Sequence, residues 1–490
     1  MKRFLPLLLL VAACAQPESV PDASEPVAVS DWSQGEGVVV HLFEWRWDDI
    51  ADECEDVLGP AGYSAVQVSP PSENHVVGTR PWWERYQPVS YQLETRSGSR
   101  EDFADMVRRC DDAGVDIMVD AVINHTTDGD LEHPSMEFTA RGTAGTEFSS
   151  YNFPGLYTPE DFHDCGLTDN NDIHDFNDRE QVENCELVDL ADLDTASPKV
   201  RSTLAAYLAD LQALGVKALR VDAARHMAAE DLLAIIEEAE WEGYVVQEVT
   251  ESAHARRYVP SGAVTDFDFG FALSRGIRDL SLSDIVRDRF WETDNMDSEW
   301  ALSFVDNHDT QRHGGVLSYK DDRYPLAVGM LLAVGYGRPR VMSSYRFDFG
   351  DQGPPADADE NILRVNGDDG IGCGDERVCE HRWPMVLGMV GFEAATRGQD
   401  VMRLQEGGAD RVAFTRGDRG WVAFNRSAEP WEVVHQTGLP GTRYCDVAQG
   451  PPTDTDGGCA GGSVRVDAGM VSATVPPGGL VAIHVNAQAN

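Results

Sequence analysis

Eight short apolar, β-branched segments recur along this chain, at 37–45, 63–70, 115–125, 216–224, 243–250, 264–269, 301–309 and 338–345, with helical stretches between them. Near-continuous apolar runs of this length read as strands buried on both faces, and their alternation with helices makes parallel βα units. Eight such units close a TIM barrel. The expected fold class is therefore α/β: a (β/α)8 barrel, with two additions. Between the third and fourth strands, about Thr126 to Lys199, the chain is rich in Asp, Asn and Gly and has little periodicity, which reads as a small inserted domain. After about Gly398 the apolar pattern alternates with a period near two, which predicts a C-terminal antiparallel β-sandwich. The expected division is 1–13 signal peptide, 14–35 flexible tether, 36–125 with 200–398 barrel, 126–199 insert and 399–490 sandwich.

Charge narrows the partners. The chain of 490 residues carries 39 basic and 84 acidic residues, a formal net charge of -45. So acidic a surface excludes nucleic acid as the expected partner, because phosphate binding needs a basic face. The N-terminus reads as a targeting segment: Lys2 and Arg3, then an apolar run too short to span a bilayer, then Ala12-Ala13-Cys14. Val-Ala-Ala-Cys resembles a bacterial lipobox, so a lipid anchor at Cys14 in the cell envelope is expected; an ordinary signal peptide with an extracellular product is the alternative. Setting Cys14 aside leaves eight cysteines, an even number in an exported chain, and disulfides are the default. Cys373 with Cys379, and Cys445 with Cys459, close short local loops.

Functional groups of a TIM barrel lie at the C-terminal ends of its strands. Three acids stand there: Asp222 after strand four, Glu248 after strand five and Asp309 after strand seven. One acid alone reads as a helix cap. Three converging over one barrel mouth, with His125, Arg220 and His308 nearby, fit glycoside hydrolysis, which needs a nucleophile or base and a proton donor.

Here the chain resembles a known family. Asp120-Ala-Val-Ile-Asn124-His125, Arg220-Val-Asp222-Ala-Ala-Arg225-His226, Gln247-Glu248-Val and Phe304-Val-Asp-Asn307-His308-Asp309 match the four motifs of the α-amylase clan, glycoside hydrolase family thirteen. His41-Leu-Phe-Glu-Trp, Val66-Gln-Val-Ser-Pro-Pro, Pro81-Trp-Trp-Glu-Arg-Tyr-Gln-Pro and Arg340-Val-Met-Ser-Ser-Tyr extend the likeness to animal-type, chloride-dependent α-amylases. The resemblance implies endo-hydrolysis of internal α-1,4-glucosidic bonds in starch, glycogen and maltooligosaccharides by a monomer. An α-glucosidase or transglycosylase on the same scaffold, or a non-catalytic glucan-binding surface lipoprotein, are the alternatives.

The resemblance also implies roles. Asp222 is the nucleophile, Glu248 the acid and base, and Asp309 holds the distorted sugar. The chemistry needs Asp222 ionised, and Arg220 on the same strand face is expected to keep it so. Trp82, Trp83, Tyr86, Gln87, His125, Arg220, Arg225, His226 and His308 are expected against sugar. Calcium is implied between barrel and insert, held by side-chain oxygens of Asn124 and Asp192 and the carbonyls of Glu183 and His226. Chloride is implied at Arg220, Asn307 and Arg340, where an anion offsets the charge of two guanidiniums and helps keep Glu248 protonated. The implied disulfides are Cys54–Cys110, Cys165–Cys185, Cys373–Cys379 and Cys445–Cys459. Arg225 departs from the family's usual Lys, and the segment after Asp309 is shorter than the Gly-rich loop of animal enzymes.

Overall fold

The computed structural model describes Trp32 and residues 35–128, 138–290, 292, 296–367, 369–453 and 458–489. The expected leader, the tether and the Cys14 anchor lie outside the described residues, apart from Trp32 and Gly35. Eight parallel strands close a barrel: β1 Val39–Leu42, β2 Ala65–Val68, β3 Asp116–Ala121, β4 Ala218–Val221, β5 Tyr244–Gln247, β6 Ala263–Asp266, β7 Ala301–Phe304 and β8 Arg338–Ser343. Each falls inside an expected apolar segment, because a strand packed by helices outside and by side chains inside has no wet face.

The barrel interior is layered. Val39, Ala65, Met118, Ala218, Val246, Ala263 and Leu302 belong to one apolar cluster from seven strands, while Val40, Leu42, Val66, Val68, Ile117 and Val119 join the larger core beneath the helices. A strand repeats its facing every two residues. Two residues beyond Val39, Ala65, Met118 and Ala218 come His41, Gln67, Asp120 and Arg220. All four are buried. The barrel thus carries an apolar plug with a polar layer directly above it, toward the strand ends.

Between β3 and β4 the chain pairs His125–Asp128 with Leu190–Asp192, pairs Phe138–Gly142 with His75–Val77 of the loop after β2, and forms a helix Arg179–Asn184. The C-terminal part is all antiparallel. Strands Val401–Glu406, Arg411–Arg416, Gly420–Asn425 and Gly479–His484 form one sheet, and a five-stranded sheet begins with Trp431–Gln436. It packs on the helix Pro384–Thr396, where a Cβ on Gly388 would meet the Val447 carbonyl at 1.8 Å, so only glycine allows that approach. All four implied disulfides are present. Among the described residues no helix is long and apolar enough to cross a membrane.

A buried ion pair helps to pin the loop after β2. Arg85 lies within the 3₁₀ turn Trp82–Tyr86. It meets Glu44 at 3.1 Å with both side chains 1% exposed, and donates to Ser97 Oγ at 2.9 Å and Pro70 O at 2.7 Å. Removing one partner of such a pair strands the other charge in the interior. Arg85→Met is expected to lower unfolding free energy by about 3–5 kcal/mol, read by denaturant titration; a loss below about 1 kcal/mol would show that the pair does not hold the loop.

Candidate active site

One guanidinium gathers the acids. Arg220, inward on β4, places Nη1 2.5 Å from Asp120 Oδ1 and 2.8 Å from Asp222 Oδ1, and Nη2 2.7 Å from Glu248 Oε1. The second oxygen of Glu248 accepts from Ala223 N at 2.9 Å. Ala223 sits at φ 49°, in the left-handed region. For an alanine this backbone is strained by about 1–3 kcal/mol, and it aims an N–H at a functional carboxyl. Asp222 and Glu248 directly follow β4 and β5. Asp309 does not directly follow β7: it lies five residues past Phe304, as the first, capping residue of a four-residue helix Thr310–His313.

Four buried or half-buried carboxyls thus face one another, and like charges at this distance resist ionising together. Burial pushes Asp309 up to about 7, with Glu248 adding to it and Arg220 and Arg312 opposing. Asp222 corrects an expectation. Burial, and then the charges of Glu248 and Asp120, raise its carboxyl well above the ordinary range, with Arg220 pulling the other way. Arg220 does not hold it low, because that single positive charge is shared among three acids.

The histidines of the motifs are neutral. Burial holds His125 and His226 down to about 4 and His308 well below its usual value. His308 lies stacked between Phe43, 4.8 Å away, and Tyr86, 5.1 Å away, with Nε2 3.2 Å from Asp309 Oδ2. His125 Nε2 meets the Tyr86 carbonyl at 2.9 Å, and His226 Nδ1 meets the Val182 carbonyl at 3.2 Å. Tyr86 donates its hydroxyl to Asp120 at 3.0 Å. Gln87 is buried against Thr127 and His75. Trp82 and Trp83 are half-buried, and Trp82 spends its indole N–H on the Gly350 carbonyl.

Arg225 bonds protein groups: the Phe176 carbonyl at 2.7 Å and Glu251 at 3.1 Å. It ties the insert to the loop after β5. Sequence reasoning left Asp120 without a role, although it stands in the first motif. It also passed over Gln67 and His41. Their signal is the period of two that puts each one step above an apolar plug residue.

Arg340 behaves unlike Arg220. It is buried and stacks over Phe304 at 4.6 Å. Its guanidinium donates to Gln67 Oε1 at 2.7 Å, and no carboxylate lies within 4.0 Å of it among the described residues. Burial and Arg220 lower it to about 10. Asn307 turns its Oδ1 to the N–H groups of Asp309 and Thr310, leaving its amide nitrogen as a donor. An uncompensated buried cation beside a second one, with an amide donor on the neighbouring strand end, fits a small anion.

At the barrel–insert junction Asn124 Nδ2 lies 3.1 Å from Asp192 Oδ1, both buried. Asp192 Oδ2 meets His163 Nδ1 at 2.7 Å. The side chain of Glu183 pairs with Arg179 and Arg257, so only its carbonyl remains for a ligand. Among the described residues no three His, Cys, Asp or Glu groups form a metal cluster; the buried side-chain oxygens of Asn124 and Asp192 are the donor kind that calcium takes.

Comparison with known proteins places these observations. Residues 62–260 match the family model "Alpha amylase, catalytic domain", and residues 404–486 match "Alpha amylase, C-terminal all-beta domain". An "Alpha-amylase-related protein" of Drosophila auraria is 44% identical, covering 93% of this chain and 95% of its own length; one of Drosophila punjabiensis matches to the same extent. The structure of wild-type α-amylase I from Eisenia fetida superposes with a TM-score of 0.83 at 35% identity, covering 94% of this chain and 99% of that one. A variant of that enzyme bound to maltohexaose superposes with a TM-score of 0.82.

The raised Asp309 carboxyl has a stability consequence. Its folded value of about 7 lies above the ordinary value near 3.9. The fold therefore favours the protonated form, and this group penalises folding increasingly as pH rises from about 4 to about 7. Asp309→Asn is expected to gain thermal stability over the parent across that window. A stability difference that stays flat with pH would contradict the burial account.

Proposed function

We propose that this chain, which belongs to the α-amylase family, hydrolyses internal α-1,4-glucosidic bonds of starch, glycogen and maltooligosaccharides with retention of configuration. The observation that carries this reading is the pair Asp222 and Glu248 on one guanidinium, with Asp309 over the same barrel mouth. Retaining glycosidases need their two carboxyls only about 5–5.5 Å apart, and a shared Arg220 is in keeping with that spacing.

In this mechanism Asp222 attacks the anomeric carbon in its ionised form, which Arg220 favours against the opposing push of burial, Glu248 and Asp120. Protonated Glu248 gives its proton to the leaving oxygen, so the scissile C–O bond breaks as the glycosyl–Asp222 bond forms. Glu248 then takes a proton from water, whose oxygen displaces Asp222 from the sugar. Asp120, Asp222, Glu248 and Asp309 repel one another and share few positive charges, and burial raises the carboxyls of Asp120, Asp222 and Asp309, so the cluster as a whole favours keeping a proton. Asp309 and the neutral imidazoles of His226 and His308 bind sugar hydroxyls, since a neutral imidazole both donates and accepts, while His125, with Nε2 on the Tyr86 carbonyl and Nδ1 beside Asn124 Nδ2, holds the loop that carries Tyr86. Trp83 presents a half-exposed indole on which an apolar sugar face stacks.

Arg340, Arg220 and the Asn307 amide would hold chloride, whose negative charge offsets the two buried guanidiniums. Asn124, Asp192 and the carbonyls of Glu183 and His226 would hold calcium, which fastens the insert to the barrel. The relatives in flies and the earthworm enzyme support the animal-type reading. Four disulfides support an exported protein, with Cys14 as its proposed lipid anchor.

Product profiling on soluble starch tests the reading. Mixed maltooligosaccharides from random internal cleavage are expected, falling off without chloride or with a chelator; glucose as the sole product would replace it with an α-glucosidase, and no turnover with a glucan-binding protein. Glu248→Gln is expected to lower kcat by about 10²–10⁴-fold, the usual worth of an acid–base group, and an unchanged kcat would remove Glu248 from its role.

A further inference from the structure

The segment after Asp309 poses a physical problem. Thr310–His313 is a helix of four residues, far below the length at which a helix holds itself together. It runs directly into Gly314 and Gly315, both exposed and both at positive φ. Local structure therefore cannot fix the carboxyl of Asp309 over the barrel mouth, and the constraint must come from tertiary contact.

Gln311 supplies part of it, donating to Asp306 Oδ2 at 2.6 Å and to Ser344 Oγ at 2.7 Å, and Arg312 supplies the outer part. Arg312 folds back from this turn, and each of its three guanidinium nitrogens is committed to the protein. Nη1 donates to the His308 carbonyl at 2.5 Å, Nη2 to the Tyr345 hydroxyl at 2.9 Å and Nε to the Gly350 carbonyl at 3.0 Å. Its plane lies among four aromatic rings, 4.3 Å from the centre of Phe347, 4.9 Å from Trp82, 5.4 Å from Phe43 and 5.5 Å from Tyr345. Guanidinium over aromatic faces is attractive, and a planar fork with fixed donor directions suits three diverging acceptors. The Gly350 carbonyl also accepts the Trp82 indole N–H at 2.9 Å. A single carbonyl thus joins Arg312 to the loop after β2.

We propose that Arg312 is a positioning residue that locks the Asp309 turn, the loop after β8 and Trp82 into one rigid wall of the cleft, so that Asp309 and His308 meet the reacting sugar without rearranging. This rests on the glucan-hydrolase reading above. Every guanidinium nitrogen of Arg312 already donates to the protein, so its role is to position the groups it holds. Its charge acts as well. Asp309 faces the carboxyls of Glu248 and Asp120, the guanidiniums of Arg220 and Arg312, the hydroxyl of Tyr86 and the neutral imidazole of His308. Arg312 is one of two cations opposing the upward push on that carboxyl, so deleting its charge moves the Asp309 carboxyl higher still.

The test is steady-state kinetics on maltoheptaose from pH 4 to 9, with thermal melts, for the parent protein, Arg312→Lys and Arg312→Met. Misplacing a reacting group by about 1 Å costs on the order of 10²-fold. Arg312→Met is expected to lose about 30- to 100-fold in kcat/KM, mostly in kcat, with the acidic limb of the profile moved to higher pH and a melting temperature within a few degrees of the parent. Arg312→Lys keeps the charge but not the fork, so its limb stays in place while its rate recovers only in part. Activity within threefold of the parent in both variants would overturn the proposal. So would losses that track a lowered melting temperature with both limbs unmoved, the mark of a merely structural residue. A parent protein that leaves maltoheptaose intact would overturn the glucan-hydrolase reading and this inference with it, and that outcome is distinct from active variants.

Discussion

Arg220 is the interaction on which the rest of the site depends. Three carboxyls from three strands end on its guanidinium, and among the described residues none of them has another buried cation within ion-pair distance. Burying one acid against one arginine gives a quiet salt bridge. Burying three, with a fourth carboxyl at Asp309 close by, gives a site in which ionising all of them together is disfavoured. A retaining hydrolase needs that condition: one carboxyl ionised to attack, one protonated to give up its proton, and little energy separating the two arrangements. The fold therefore holds unfavourable charge, which the apolar burial of the barrel as a whole must offset.

The barrel explains why the charges are so close. Strand periodicity of two places Asp120 and Arg220 side by side on β3 and β4, one step above the apolar plug. Asp222 and Glu248 follow from the strand ends, and the left-handed Ala223 turns a backbone N–H toward Glu248. Arg340 then stands nearby with Gln67 as its hydrogen-bond partner. The contrast between the two arginines, one crowded by carboxylates and one without any, is the physical basis for assigning an anion to the second.

Much of this was legible in the sequence, and the exceptions have reasons. The eight strands were visible because buried parallel strands write themselves as apolar runs. Asp222 and Glu248 were visible because each ends such a run. Asp309 was identified through its motif, but its place in a capping turn was not, since the apolar run at 301–305 carries no mark of where the strand stops. The ionisation of Asp222 was misjudged: sequence shows that Arg220 is two residues away, not that Asp120 and Glu248 share it. Arg225 looked like a sugar contact, and only the fold shows the Phe176 carbonyl beside it. The cage around Arg312 joins residues 43, 82, 345 and 347, which no local pattern connects.

The stereochemistry of the first product tests the central claim most directly. If Asp222 and Glu248, gathered by Arg220, carry out two successive displacements, proton NMR during early hydrolysis of maltoheptaose will show the newly formed reducing end appearing as the α-anomer, with the β-anomer growing in only by mutarotation. First appearance of the β-anomer would mean a single displacement by water, and would contradict the assignment of Asp222 as nucleophile.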